Sequence, residues 1–178
     1  MKKLNKNNKG FSLVELLVVI AIMVVLVGVV APTLLGNIEK ARVASDIQSL
    51  DAVASSIQDA LGTEAAYTKA MDTYKGVVTA AGDVIGVANA DSSTDALIKT
   101  VNEYLAAVPK MKGSDAAKSS NNYKVYFTIT DNGSVVVWLA SEKGANPPTK
   151  PAAATMTKAE ADAAKICYAK DTAYYVTR

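Results

Sequence analysis

Glu15 is the residue of this chain whose position most needs a functional explanation. It is the only ionisable residue between Phe11 and Ile38, and every residue from 16 to 31 is apolar or glycine. A carboxylate in such a segment costs about 2.5–3.5 kcal/mol when it enters a bilayer as part of a helix. Glu15 is therefore a candidate functional residue. A tolerated charge near the membrane edge, one turn from the start of the helix, is the plainer alternative.

The ten residues before this segment form a basic block. They contain Lys2, Lys3, Lys6 and Lys9 and no acidic residue. Positive residues beside an apolar segment keep that end in the cytoplasm, so the rest of the chain is expected outside. A conventional secretory signal fits poorly, because its cleavage site would follow Ala31, directly before a proline and after too long an apolar run.

The spacing of Gly10, Phe11 and Glu15 resembles the class III signal sequence of type IV prepilins, which include pilins and pseudopilins. That family has a short basic leader ending in glycine, then phenylalanine, a glutamate four residues later, and an apolar helix. Pro32 also stands at a position where the family commonly has proline. The resemblance covers about the first 60 residues, and we find no motif match in the other two-thirds.

The resemblance implies a role for each of these residues. Gly10 would end a leader that a membrane-embedded prepilin peptidase removes, and Phe11 would become the new, N-methylated terminus. Glu15 would remain in the mature helix, where its carboxylate would meet the cationic amine of a neighbouring subunit. Such a pair attracts strongly at low dielectric, whereas either charge alone is costly. The chain would polymerise with itself, driven by a cytoplasmic ATPase through an inner-membrane platform protein.

A long helix must carry these residues. Beyond Glu39 the sequence becomes amphipathic, with apolar residues spaced three or four apart, at Val43, Ile47, Leu50, Ala54, Ile57 and Leu61. A helix from Phe11 to about Leu61 would be roughly 77 Å long. Pro32 removes one backbone donor inside it, so we expect a kink there. We expect the apolar stripe to pack on the chain's own head, with a short coiled coil as the alternative.

The remaining residues are enough for one compact domain. Two β-rich runs flank Asp131-Asn132-Gly133, which is typical of an antiparallel hairpin. The sequence also predicts helices over 64–74, from Ser93 or Thr94 to 107, and from Thr157 to 167, strands at 84–87 and 172–177, and a loop at 146–151. The predicted fold is α+β, with a long N-terminal helix on a small antiparallel sheet. We divide it into a cleaved leader (1–10), a membrane or filament-core helix (11–35), and an amphipathic helix with its head (36–178).

Composition narrows the possible chemistry. The chain has no histidine and one cysteine, Cys167, which leaves no ligand set for structural zinc and no histidine-based triad. An intrachain disulfide is also impossible, whereas many pilins of diderm bacteria have a cysteine pair near the C-terminus. The departure fits the disulfide-free pilins often seen in Gram-positive relatives. We expect Cys167 to be a small buried hydrophobe, and we expect no cofactor or metal.

Charge argues against general nucleic-acid binding. The chain has a formal charge of +2, and without the leader lysines it becomes −2, whereas nucleic-acid binding needs a basic surface. Tyr123 and Tyr126 could stack on single-stranded DNA, but cross-strand packing in the hairpin is the more ordinary role.

Three functions remain open. The first is a structural subunit of a type IV pilus for adhesion or twitching motility, held in the membrane before assembly and extracellular afterwards. The second is a pseudopilin of a type II secretion or DNA-uptake system. The third is a single-pass membrane protein with an enzymatic or receptor head. The sequence shows no nucleophile–base pair, metal cluster or phosphate loop, so we expect no enzymatic activity.

Overall fold

The computed structural model describes residues 11–87, 90, 93–117, 122–141, 151, 156–164, 166–169 and 172–178. The chain divides into two compact units, Met1–Ile38 and Glu39–Arg178. The helices are α1 (Leu13–Ala60), α2 (Glu64–Lys69), α3 (Ala96–Tyr104) and α4 (Lys158–Ala163), with a π-helical turn at Ala70–Tyr74 and a 3₁₀ turn at Ala81–Asp83. The strands are β1 (Thr79–Ala80), β2 (Tyr123–Ile129), β3 (Val135–Ser141), β4 (Tyr168–Ala169), β5 (Thr172–Ala173) and β6 (Tyr175–Thr177).

Helix α1 lies within two residues of the predicted helix at each end and contains Pro32 without interruption. In the second unit, its predicted apolar stripe is largely buried: Leu50, Ala54 and Ile57 are fully buried. They share one hydrophobic core with residues of β2 and β3. The prediction that the stripe packs on the chain's own head is therefore confirmed.

The sheet has the strand order β1-β2-β3-β6, and its neighbouring strands are antiparallel. The predicted hairpin is confirmed: β2 pairs with β3 from Tyr123↔Ser141 to Ile129↔Val135. Gly133 in the turn has φ of 81°, which glycine adopts without steric cost. The predicted α+β fold, a long N-terminal helix on a small antiparallel sheet, is confirmed.

The two faces of the hairpin bury different residues. Phe127 and Ile129 face the core that contains α1. Tyr126 and Trp138 face the other way, in a second cluster with Ala161 of α4. The rings of Tyr126 and Trp138 stack with centroids 6.3 Å apart, which agrees with cross-strand packing of the hairpin aromatics.

The predicted strand at 84–87 is wrong. Strand β1 lies earlier, at Thr79–Ala80, and pairs with Phe127 and Tyr126. Val84 and Ile85 follow a 3₁₀ turn and are buried in the core. Their apolar character reflects burial in an irregular segment, which alternation over so few residues cannot distinguish from a strand.

Helix α3 begins and ends inside its predicted bounds. Its N-cap is Asp95, not Ser93 or Thr94, and the Asp95 carboxylate accepts hydrogen bonds from the backbone N–H groups of Leu97 (2.9 Å) and Ile98 (3.3 Å). The helix ends at Tyr104, because Leu105 is extended, with φ of −142°. Tyr104, the last residue of the helix, is exposed.

The predicted capping box at Thr157 and Glu160 is confirmed, but α4 ends at Ala163 rather than near Cys167. Cys167 is buried, as predicted, and lies outside any helix; its backbone N–H donates to the carbonyl of Leu139 over 2.9 Å. The predicted closing strand is divided into β5 and β6 by the buried Tyr174. The predicted loop at 146–151 falls, apart from residue 151, outside the described residues.

Candidate functional site

The start of α1 is built around Ser12. Ser12 precedes the first helical residue, and its carbonyl accepts a hydrogen bond from the backbone N–H of Leu16 over 3.2 Å. Its hydroxyl accepts from the N–H of Val14 over 3.4 Å. Ser12 is therefore the N-cap of α1. The preceding residue, Phe11, is 94% exposed, and Gly10 lies outside the described residues.

Glu15 turns back onto this cap. Its carboxylate oxygen Oε2 accepts a hydrogen bond of 2.9 Å from the backbone N–H of Ser12. A glutamate three residues after a serine N-cap is the capping-box arrangement, in which the carboxylate satisfies a donor that the helix leaves unpaired. Glu15 therefore has a partner within its own chain, which lowers the cost of its charge in an apolar segment. This role was not predicted, although the Ser-x-x-Glu spacing signals it.

The surface around Glu15 is apolar, and no other part of the first unit covers it. The large hydrophobic side chains of this part of α1 are exposed, for example Leu13 (78%), Val24 (71%) and Val29 (73%). Among the described residues, one helix is long and apolar enough to cross a membrane, and it is this one. Such a surface is far larger than the apolar patches that a soluble monomer exposes.

Pro32 lies away from this end of the helix. It is 17 positions after Glu15, which corresponds to about 26 Å of helix. Helical structure continues on both sides of it, and a Cβ added at Gly28 or Gly36 would meet nothing within 4 Å. Of the residues predicted from the sequence, the structure thus brings Phe11 and Glu15 to one end and leaves Pro32 apart. The kink at Pro32 stays a prediction.

A buried carboxylate in the second unit was not predicted. Asp46 of α1 is 1% exposed, although it does not belong to the predicted apolar stripe. Its two oxygens accept hydrogen bonds of 2.7 Å from the backbone N–H groups of Lys112 and Gly113. The hydroxyl of Tyr174 donates to the same carboxylate over 3.3 Å. Asp46 therefore joins α1 to the connection between α3 and β2 and to the C-terminal region.

Two further carboxylates of α1 hold other segments. Glu39 accepts a hydrogen bond of 2.5 Å from the backbone N–H of Ser114, and this bond, with Arg42 nearby, holds the pKa of Glu39 below its usual value. Asp51 accepts two hydrogen bonds from the guanidinium of Arg178, which lower the pKa of Asp51. Both carboxylates accept hydrogen bonds that fix distant segments of the head, at Ser114 and Arg178, to α1.

Two tyrosines of the head, Tyr74 and Tyr174, donate hydrogen bonds to aspartates. Burial, followed by a hydrogen bond to Asp95, raises the pKa of Tyr74 to about 12. Burial and the neighbouring Asp46 also raise the pKa of Tyr174. A group of three or more residues suited to hold a metal ion does not occur among the described residues. The groups that the structure brings together here are packing and hydrogen-bonding partners.

Comparison with known families agrees with the geometry at the start of α1. The model of the prokaryotic N-terminal methylation motif matches residues 5–31, a stretch that contains Gly10, Phe11 and Glu15. No curated protein and no solved structure is significantly similar to this chain. The matched motif and the α+β fold on a long N-terminal helix support a type IV prepilin-like protein.

Proposed function

We propose that this protein is the structural subunit of a type IV pilus, an extracellular fibre used for adhesion or twitching motility. The observation that carries the proposal is the exposed apolar surface at the start of α1, which contains a single carboxylate, Glu15. The methylation motif covers this same segment. An apolar helix of this length is stable in a membrane or in the core of a helix bundle, and a fibre provides the second environment.

Before assembly, the subunit is anchored by α1 with its N-terminus in the cytoplasm. The prepilin peptidase cleaves after Gly10, and Phe11 becomes a methylated, cationic amine. The Glu15 carboxylate of an incoming subunit then meets the amine of a subunit at the base of the fibre. In low dielectric this pair attracts strongly, so Glu15 exchanges its contact with the Ser12 N–H for one with a full positive charge.

The head contributes rigidity and surface rather than chemistry. Its carboxylates on α1 bind backbone N–H groups and an arginine, and its single cysteine leaves it without a disulfide. These noncovalent contacts fix other segments of the head to α1 without a disulfide. The subunit needs no catalytic activity, since a cytoplasmic ATPase and an inner-membrane platform protein supply the work of assembly.

The test is to shear cells and compare three chains. We expect the natural chain in the sheared fraction, and Gly10→Glu only in the membrane fraction, because its leader stays attached. Lys9→Arg is the matched control, since it keeps the charge of the leader and should behave like the natural chain. Gly10→Glu in sheared fibres at the natural level would contradict the proposal.

A pseudopilin of a secretion or DNA-uptake system is the second candidate, because the same leader and helix serve both kinds of fibre. The sheared fraction also separates the two. A pseudopilin would be processed at Gly10 but would remain with the membrane, whereas a pilin is released.

A further inference from the structure

The turn between β2 and β3 contains Asn132-Gly133, the one place in this chain where glycine follows asparagine. Asparagine followed by glycine loses ammonia more readily than other asparagine pairs, because glycine has no side chain to obstruct the approach of its backbone nitrogen. Asn132 is exposed in the turn, so water reaches its side chain. The turn is therefore a candidate site of spontaneous chemical modification.

The side-chain oxygen of Asn132 lies beside two hydrogen-bond donors. The backbone N–H of Ser134 donates to Oδ1 over 3.4 Å, and the hydroxyl of Thr130 donates to the same oxygen. The Thr130 hydroxyl also lies 3.0 Å from the carbonyl oxygen of Ser134, so its one hydrogen can serve either acceptor. Donors aimed at a carbonyl oxygen stabilise the negative charge that develops there during nucleophilic attack. The turn thus favours attack on the Asn132 amide.

The attacking atom is the backbone nitrogen of Gly133. Its N–H donates to the carbonyl of Thr130 over 3.0 Å, so this bond must open before the nitrogen can lose its proton. Such an opening is local, because Asp131 and Asn132 are exposed and exposed turns open at a small cost in free energy. The flanking bond from the Thr130 N–H to the Ser134 carbonyl, of 2.9 Å, closes the turn on the strand side. It keeps both donors near Oδ1 while the tip of the turn moves.

We propose that Asn132 is a self-modifying residue, which Gly133 converts to aspartate or isoaspartate. The Gly133 nitrogen bonds to Cγ of Asn132, the bond from Cγ to Nδ2 breaks, and the side-chain amide leaves as ammonia with the proton that Gly133 gave up. Water then opens the resulting cyclic imide at either of its carbonyls. The reaction consumes one water, releases one ammonia, and needs no oxidant or cofactor. The Thr130 hydroxyl stabilises the oxyanion that forms on Oδ1.

The modification changes the end of the hairpin in two ways. Either product places a negative charge next to Asp131, whose carboxylate lies 3.7 Å from Nζ of Lys75. Isoaspartate also adds a methylene group to the backbone directly before Gly133, whose φ of 81° belongs to the tight turn. The head of an old chain therefore differs in charge and in turn structure from that of a new chain. The inference requires only a folded head and does not depend on the proposed function.

Peptide mass spectrometry of the full chain, kept folded in detergent for increasing times, measures the reaction. The tryptic peptide of residues 125–143 contains Asn132 as its one amide side chain, so the mass gain from amide to acid in this peptide assigns the site. Asn102 is the internal control, because it lies within α3 and Glu103 follows it. We expect Asn132 to react at least about tenfold faster than Asn102, which is freed only when α3 unfolds. Equal rates, or no reaction at Asn132, would overturn the proposal.

Variants of Thr130 test the contribution of its hydroxyl. Thr130→Val removes the hydroxyl and keeps the shape of the side chain, and we expect the reaction to slow about threefold, which corresponds to the loss of one hydrogen bond. Thr130→Ser keeps the hydroxyl and should react at the natural rate. The fluorescence of Trp138, the single tryptophan, which is buried, shows whether each variant folds. A folded Thr130→Val chain that reacts as fast as the natural chain would refute the role of the hydroxyl, and the comparison of Asn132 with Asn102 stands even if this variant does not fold.

Discussion

The carboxylate of Asp46 accepts a hydrogen bond of 2.7 Å from the backbone N–H of Gly113, 67 residues further along the chain. The same carboxylate binds the N–H of Lys112 and the hydroxyl of Tyr174. One buried side chain of α1 thus fixes two segments that have little regular structure of their own. The rigidity of the head depends on this cluster as well as on its hydrophobic core.

Asp46→Ala should destabilise the head strongly. The substitution leaves two backbone N–H groups without their acceptor in a buried site, and we expect a loss of about 3 kcal/mol in the free energy of unfolding. Urea unfolding of the full chain in detergent, followed by Trp138 fluorescence, measures it. Asp59→Ala is the matched control, because Asp59 is an exposed aspartate of the same helix. A loss no greater than that of the control would contradict the role given to Asp46.

Gly113→Ala should destabilise the head for a steric reason. A Cβ at Gly113 would clash with the hydroxyl of Tyr174 and lie 3.0 Å from Asp46 Oδ2. We expect a loss of about 1–3 kcal/mol, the usual cost of overpacking. At Gly82 an added Cβ meets nothing within 4 Å, so Gly82→Ala should leave the same unfolding curve nearly unchanged. Equal effects of the two substitutions would show that the cluster is not closely packed.

The main elements could be predicted because each has a strong local signal. The helical period of α1, the Asp-Asn-Gly turn of the hairpin and the Thr157–Glu160 capping box all depend on neighbouring residues. The acceptor role of Asp46 could not be predicted, because its partners lie more than 60 residues away. A polar residue beside an apolar stripe carries no signal that it will be buried.

The residues of the candidate site also differ in how far the sequence could predict their roles. Glu15 stands out because a charge within an apolar run is costly, whereas Gly10 and Phe11 were assigned from the resemblance to the class III signal sequence. The hydrogen bond from Ser12 to Glu15 was equally local and was missed, since Glu15 was considered only for its charge. Two predictions failed for other reasons. The strand predicted at 84–87 does not form, and the predicted end of α3, at 107, was too late. At 84–87 the apolar residues are buried in an irregular segment, and α3 ends at Tyr104 because Leu105 is extended.

Low pH should lower the free energy of unfolding of the head, because Glu39 and Asp51 become protonated. Both have a pKa below the usual values of 4.5 and 3.8, so the folded form binds fewer protons than the unfolded form in this range. The resulting stabilisation is present above about pH 4.5 and is lost as the pH falls through the lowered values. Unfolding midpoints at a series of pH values below 5 measure it. The double variant Glu39→Gln, Asp51→Asn should show a shallower acid decline, and an unchanged slope would refute this assignment.

Variants of Glu15 separate its charge from its capping role. Glu15→Gln keeps a side chain that can accept the Ser12 N–H, because glutamine also serves in a capping box, but it removes the charge. We expect it to be processed normally and to lower fibre yield on the order of tenfold, since the amine of the neighbour loses its partner. Glu15→Ala should be processed and reduce assembly as well. Natural yield from Glu15→Gln would mean that capping, not charge, is what assembly needs.

The apolar part of α1 should control solubility. We expect a chain lacking roughly the first 35 residues to stay monomeric in buffer without detergent, because the exposed hydrophobic surface is removed. The full chain should require detergent or form aggregates. Sedimentation of both forms decides the matter, and a full chain that is monomeric in plain buffer would be incompatible with a membrane or fibre-core helix.

The proposed function requires that the chain be processed and carried into an extracellular fibre. The intact mass of the protein in material sheared from the cell surface tests it most directly. We expect a mass equal to residues 11–178 plus one methyl group. A sheared fraction without the protein, or one that contains only the unprocessed chain with its leader, would contradict it.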